Sequence, residues 1–95
     1  MSSPYDLQIS SAARRQLRQL PPRVAPAVVE FITAVLPENP LRLSKPLTGE
    51  FVGLHSARRG DYRVLIDVDE SARTVLVVRI AHRAEAYRPP PPPID

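Results

Sequence analysis

The residues best suited to chemistry lie in the run Arg58-Arg59-Gly60-Asp61-Tyr62-Arg63 and in a second group, His82, Arg83 and Tyr87. Guanidinium groups bind phosphate through two parallel hydrogen bonds and keep their charge at any physiological pH. Together the two groups predict a surface that holds a phosphate backbone, with side chains beside it that could cut the backbone.

Such a set can break RNA without a metal, by attack of a ribose 2′-OH on the neighbouring phosphorus. The reaction needs a base for the hydroxyl, cations for the phosphoryl oxygens and a proton donor for the leaving 5′-oxygen. Arg58 and Arg63 are the natural charge stabilisers. His82 carries an imidazole, the side chain that most often transfers protons in enzymes, and could act as base or acid. Tyr87 could accept a proton only where clustered cations favour its phenolate form.

Other chemistries have little support in the sequence. The chain has no cysteine and only two histidines, which excludes thiolate metal sites and disulfides and argues against a zinc centre. No Gly-rich phosphate loop or Ser-His-Asp order stands out. We therefore expect no metal and no cofactor. The longest apolar run, Val75–Val78, is far too short to cross a membrane, and no secretory signal begins the chain, so a cytoplasmic protein without membrane contact is expected.

The net charge is +3, with twelve arginines and a single lysine, Lys45. A GC-rich genome would enrich arginine together with alanine, proline and valine, so the excess alone does not indicate nucleic-acid binding. The clustering of arginines after residue 58 is more informative. An acidic partner protein would suit the same basic face.

Hydrophobic periodicity predicts six elements that would position these residues. The first helix is predicted to start from Ser10 or Ser11 and the second from Arg23, with Pro26 tolerated in its first turn. In order, the elements are a strand over residues 5–10, a helix ended by Pro21, a helix ended by Pro37, and strands over 51–57, 62–69 and 74–81, with a loop over 41–49.

This order predicts an α+β fold, a β-α-α-β-β-β domain whose antiparallel-rich sheet is covered on one face by a two-helix hairpin. One domain, residues 1–88, accounts for the length. The tail, residues 89–95, contains a run of prolines and is predicted to be a flexible polyproline II segment outside the packed domain.

The last two predicted strands suggest a register. If their turn pairs Val68 with Thr74, Arg63 faces Arg79, and Arg83 shares their side of the sheet. Facing like charges need an anion between them, which makes Arg79 a candidate phosphate contact. The opposite side, expected to meet the helices, then carries Leu76, Val78 and Ile80.

Three segments together, Lys45–Gly49, Ser56–Leu65 and Ala81–Arg88, resemble the RelE/ParE toxin superfamily. The closest likeness is to the RelE branch of actinobacterial toxin–antitoxin pairs. The resemblance implies a compact sheet with a helical hairpin on one side and cleavage of mRNA in the ribosomal A site. It implies a cognate RelB-like antitoxin that wraps the toxin, and contact with operator DNA only through the antitoxin complex.

The resemblance also implies roles for individual residues. Arg63 matches the arginine that stabilises the transition-state phosphate, and Arg83 the arginine near the leaving group. Tyr87 resembles the C-terminal tyrosine proposed as base, and Arg58 a basic residue before the turn. The remaining predicted phosphate contacts are Arg59, Lys45, Arg79 and His55.

The sequence departs from the RelE pattern in two places. The family's type member has two lysines on the strand before the Gly turn, where this chain offers only His55. The gap between Arg83 and Tyr87 is also shorter than in that type member. His82 could carry proton transfer instead, as in related branches that have a histidine near this position. Two alternatives therefore stay open: a non-enzymatic ParE-like gyrase inhibitor, and a weakened toxin homologue that acts as an antitoxin-binding co-repressor.

Overall fold

The computed structural model describes residues 4–88 of the chain, so the predicted proline tail lies outside the described residues. They form one five-stranded sheet and two helices, in the order β-α-α-β-β-β-β. The bounds are β1 Asp6–Ile9, α1 Ser11–Gln19, α2 Ala25–Glu30, β2 Ser44–Pro46, β3 His55–Arg59, β4 Tyr62–Asp69 and β5 Thr74–His82. The spatial order is β1-β5-β4-β3-β2, with β1 parallel to β5 and the other pairs antiparallel. The α+β prediction is confirmed.

The helix starts follow the local sequence. Ser10 caps α1, because its Oγ accepts a hydrogen bond from the Ala13 N–H at 3.1 Å. Pro26 lies in the first turn of α2, where its missing N–H leaves no bond unmade. The N-cap of α2 is Val24, one residue after the predicted Arg23. A π-helical turn and a 3₁₀ turn then extend α2 to Glu38.

The helices bury one face of the sheet. The helical side of the core is formed by Ala13, Val28, Phe31, Ile32 and Leu36, and the sheet side by Ala57, Val64, Ile66, Val75, Val77 and Ile80. Because side chains alternate along a strand, their neighbours in β3 and β4 point to the other face. The helices do not cover that second face, so polar side chains can lie there. None of the helices within residues 4–88 has the length and apolar character of a membrane-spanning segment.

The turn between β4 and β5 differs from the predicted register. It pairs Asp69 with Thr74 rather than Val68 with Thr74. The Asp69 carboxylate accepts the Ala72 N–H at 2.9 Å, and Arg73 adopts a positive φ of 56°. These local bonds make the turn one residue shorter than the predicted pairing of Val68 with Thr74.

β5 contains a bulge at Val78, which shifts its pairing with β4 by one residue. The extra residue breaks the alternation, so Val77 and Ile80 both pack against the helices. The prediction that Leu76 and Val78 meet the helices is therefore wrong, and the prediction for Ile80 is confirmed. A prediction that assumes strict alternation of side chains along a strand cannot detect a bulge.

The segment before β3 also differs from prediction. Ser44–Pro46, predicted as loop, forms the short edge strand β2, whose three residues and proline hide it from pattern analysis. The predicted strand over 51–57 begins only at His55. Before it lie a 3₁₀ turn, Gly49–Phe51, and a positive φ of 97° at Gly53.

Candidate phosphate-binding and active site

The face of the sheet turned away from the helices carries a row of cations. Arg58 on β3 lies directly opposite Arg63 on β4, and Lys45 on β2 lies opposite Ser56 on β3. Because Ala57 points into the core, Ser56 and Arg58 point to the other side, together with their partners. Strand pairing therefore gathers three cations and a hydroxyl on one face.

These residues surround a cavity of about 390 Å³, which we call the cationic hollow. Like charges that face each other across a strand pair destabilise it, so Arg58 and Arg63 favour an anion between them. Arg63 uses its Nη1 to donate to the carbonyl oxygens of Gly60 at 3.1 Å and of Tyr62 at 3.2 Å. The hollow is lined by Leu43, Lys45, Pro46, Leu47, Ser56, Arg58, Arg63 and Tyr87. No lining residue within the described part of the chain is acidic, so the hollow suits a phosphate.

Tyr87 reaches the hollow from the segment after β5. Its Oη lies 2.7 Å from the Oγ of Ser56, and either hydroxyl can donate. Its ring packs edge-on against Phe51, with centroids 6.3 Å apart. Tyr87 as a residue is 44% exposed, so a bound ligand can reach the phenol. The contacts fix a phenol hydroxyl at the edge of a cationic site.

Arg79 holds the segment that carries Tyr87. Its Nη1 donates to the carbonyl oxygen of Ala86 at 3.1 Å and to that of Arg88 at 2.6 Å. These carbonyls flank Tyr87 in the chain. The structure therefore gives Arg79 a backbone partner on each side of the tyrosine, instead of a place among the residues that line the cationic hollow.

The predicted facing of Arg63 and Arg79 is wrong. Arg63 pairs with Ala81, and Arg79 pairs with Leu65. The shorter turn and the bulge in β5 together cause the difference. Arg63 and Arg79 still share one face of the sheet, because Arg63 and Leu65 are two residues apart on β4.

Arg83 lies just past the end of β5, at the tip of the β3–β4 hairpin. Its backbone N–H donates to the carbonyl oxygen of Asp61 at 2.8 Å, and its Nε lies 4.0 Å from an Asp61 carboxylate oxygen. The two side chains are 65% and 68% exposed. Arg83 does not line the cationic hollow.

The structure places His82 on the opposite face from Arg63. His82 pairs with Tyr62, which packs against the helix-side core, and the two rings meet edge-on with centroids 5.6 Å apart. The Nδ1 of His82 accepts the Ala84 N–H at 3.2 Å. The predicted meeting of His82 with the arginines and Tyr87 in one hollow is therefore not found.

His55 and Arg59 also lie on the helix side of the sheet. His55 pairs with the core residue Ile66, and its Nδ1 is buried without a hydrogen-bond partner within residues 4–88. Arg59 pairs with Tyr62 and lines a different cavity, beside the start of α2. Of the predicted set, the structure brings Lys45, Arg58, Arg63 and Tyr87 together.

Pattern analysis missed two residues at the site. Ser56 bonds the Tyr87 hydroxyl, and its place two residues before Arg58 on a strand was the available signal. Phe51 supports the Tyr87 ring, but the sequence predicts a strand there, where the structure has a 3₁₀ turn.

Comparison with known proteins supports the resemblance. Residues 7–87 match the family described as the ParE toxin of the type II toxin–antitoxin system. The chain is 48% identical to Toxin RelG of Mycobacterium tuberculosis over 85 residues, which covers 90% of this chain and 98% of the relative. It is 47% identical to Toxin RelE of the same organism over 85 residues, covering 90% of this chain and 88% of that toxin.

Solved structures agree with the sequence relatives. A crystal structure of the toxin–antitoxin complex RelBE2 from M. tuberculosis matches with a TM-score of 0.80 and 47% identity, over 85% of this chain and 100% of that one. The isolated RelE toxin of Escherichia coli matches in fold, with a TM-score of 0.65 and 18% identity, over 82% of this chain and 83% of that one. From the matched residues and the shared fold, this chain belongs to the RelE/ParE toxin family of type II toxin–antitoxin systems.

Proposed function

We propose that this toxin is a metal-independent endoribonuclease that cleaves mRNA on the ribosome and so stops translation. The observation that carries the proposal is the cationic hollow, in which Lys45, Arg58 and Arg63 meet Tyr87 and no carboxylate from residues 4–88 lines the cavity. Cations positioned where charge develops are the main source of stabilisation in phosphate chemistry. The tyrosine supplies the proton-transfer group that a simple anion-binding site does not need.

Each lining residue has a role in this scheme. Arg58 and Arg63 hold the phosphoryl oxygens as the 2′-oxygen attacks the phosphorus. Tyr87 serves as the base that takes the proton from the 2′-OH, and the bond to Ser56 fixes its oxygen. Lys45 gives a proton to the leaving 5′-oxygen. The products are a 2′,3′-cyclic phosphate and a free 5′-hydroxyl.

We also propose a RelB-like antitoxin as the partner that holds the toxin inactive, because the M. tuberculosis and E. coli relatives are solved as toxin–antitoxin complexes. Val29 and Val35, on α2 and its π-helical extension, are each 42% exposed and give such a partner apolar surface. Operator DNA is contacted only through that complex. Because the proposed substrate and partner are cytoplasmic, we propose the cytoplasm as the place where the protein acts.

The test is cleavage of a defined mRNA on purified ribosomes. We expect products that end in 2′,3′-cyclic phosphate, and no product when the nucleotide before the cut carries a 2′-deoxyribose. Tyr87→Phe should reduce cleavage strongly, whereas the matched variant Tyr5→Phe, at a tyrosine packed against the core, should not.

An uncleaved mRNA would overturn the proposal. In that case, arrest of DNA replication before translation in cells would support the gyrase-inhibitor alternative. A protein that represses its own operon with its antitoxin but arrests neither process would support the co-repressor alternative.

A further inference from the structure

A second cavity, of about 420 Å³, opens next to the cationic hollow. It is lined by Leu47, Thr48, Glu50, Phe51 and Tyr87, and it shares Leu47 and Tyr87 with the hollow. A ligand whose phosphate occupies the hollow can therefore extend into this cavity without leaving the surface. The proposed mRNA substrate is such a ligand.

The cavity is built on a turn that fixes one aromatic ring. The Phe51 N–H donates to the Thr48 carbonyl oxygen at 3.3 Å, and Gly49 has a positive φ of 65° that lets the chain turn. Tyr87 packs edge-on against the Phe51 ring, and the Arg79 guanidinium carbon lies 5.8 Å from the ring centroid. Because these contacts hold Phe51 from two sides, its position is set before a ligand binds.

A fixed, partly exposed aromatic ring beside a phosphate site has the features of a nucleobase platform. Single-stranded RNA is bound by stacking its unpaired bases on aromatic side chains while cations hold the backbone. Leu47 adds apolar surface to the same cavity. The base of a nucleotide whose phosphate lies in the hollow would reach the Phe51 ring next.

Glu50 gives the cavity a preference for hydrogen-bond donors. Within residues 4–88 it is the one acidic residue that lines the cavity, and there it is exposed and forms no ion pair. An ionised carboxylate only accepts hydrogen bonds, so it repels phosphate and carbonyl groups and binds N–H donors. Guanine presents two adjacent donors, N1–H and N2–H₂, that a carboxylate can accept in parallel, whereas uracil presents one donor between two carbonyls.

We propose that this cavity is a base-recognition subsite for the cleaved RNA. The base of a nucleotide flanking the cut phosphate stacks on Phe51, and Glu50 selects guanine over uracil by accepting its two N–H donors. The inference rests on the proposed nuclease function and adds to it the residues that determine which RNA sequence is cut.

The experiment measures cleavage on ribosomes programmed with mRNAs that carry guanine, inosine, adenine or uracil at each of the two nucleotides flanking the cut. At one of them, the wild-type protein should cleave guanine faster than inosine, which lacks the N2 amino group, by about 10-fold or more, the factor that a hydrogen bond to a charged group supplies. In Glu50→Gln that difference should disappear while cleavage itself persists. Glu38→Gln, at an exposed carboxylate away from the cavity, is the matched control and should keep the wild-type preference.

A second variant pair tests stacking. Phe51→Leu should lower cleavage of every sequence by about 5- to 150-fold, the range for loss of base–aromatic stacking, and Phe51→Tyr should restore it. Val52→Ala, at a neighbour that is 75% exposed and does not line the cavity, should change nothing. Circular dichroism and thermal melting confirm that each variant is folded.

The outcomes separate the two proposals. If the wild-type protein cleaves mRNA but Glu50→Gln keeps the full guanine–inosine difference, or Phe51→Leu cleaves at the wild-type rate, the subsite is refuted and the nuclease assignment stands. If the wild-type protein cleaves none of the messages, the nuclease function fails, and the subsite fails with it.

Discussion

Replacing Arg79 tests whether the C-terminal segment is held for catalysis by a single side chain. Arg79 donates to the carbonyl oxygens on both sides of Tyr87, those of Ala86 and Arg88. Arg79→Ala removes both bonds and leaves the strands that form the cationic hollow untouched. We therefore expect Tyr87 to lose its fixed position while Arg58 and Arg63 keep theirs.

The magnitude follows from the two contacts. A hydrogen bond to a charged group contributes about 1.5–3 kcal/mol, and we take the lower figure for each because one bond is exposed and the other part-buried. The sum, about 3 kcal/mol, corresponds to roughly a 100-fold shift towards the open segment. The segment can open without unfolding the sheet, so the free energy of global unfolding should fall by less than this.

Two measurements check this prediction. Hydrogen exchange should speed up by about 100-fold at the amides of Ala86 and Arg88, which bond within the segment, and should stay unchanged in β4. In cleavage assays, adding Arg79→Ala to Tyr87→Phe should cost little more than Tyr87→Phe alone, because both act through the same phenol. Arg18→Ala, at an exposed residue of helix α1, is the control. Unchanged exchange, or full additivity with Tyr87→Phe, would refute the positioning role.

Three further predictions concern single side chains. Ser56→Ala removes the hydroxyl that bonds Tyr87, and we expect cleavage to fall by about 5-fold, the factor for a neutral hydrogen bond, in the ribosome assay. Arg83→Ala should reduce cleavage far less than Arg63→Ala, because Arg83 is an exposed residue outside the hollow, and its weak pair with Asp61 should change the unfolding free energy by less than about 1 kcal/mol in urea titrations. Ile32→Ala, in the fully buried core under the sheet, should lower the unfolding free energy by about 2–5 kcal/mol; a loss below 1 kcal/mol would show that the helices pack elsewhere.

The elements with strong periodicity could be predicted from the sequence. The alternation in β4 gave its bounds, and the proline and serine positions gave the starts of both helices to within a residue. These features are local, so a single sequence carries them. Short or irregular pieces carried no such signal, as the three-residue strand β2 and the turn before β3 show.

The site depended on features that act over longer distances. Arg58, Arg63 and Tyr87 were identified because residue type and motif spacing are visible in the chain. His82 was misplaced because its neighbour in the chain, Arg83, suggested closeness to the arginines, whereas its place two residues after Ile80 on β5 puts it on the helix side. The backbone bonds of Arg79 to the tyrosine segment could not be inferred, because the three-dimensional fold decides which carbonyl oxygens lie near Arg79.

The measurement that tests the nuclease site most directly is the cleavage rate of Arg58→Ala and Arg63→Ala, alone and combined, on mRNA-programmed ribosomes. Both guanidiniums face one hollow, so we expect each single variant to lose about 10²- to 10³-fold, and the double variant to lose less than the product because the two share a phosphate. Folded variants that cleave mRNA at the wild-type rate would contradict the assignment of the cationic hollow as the place where RNA is cut.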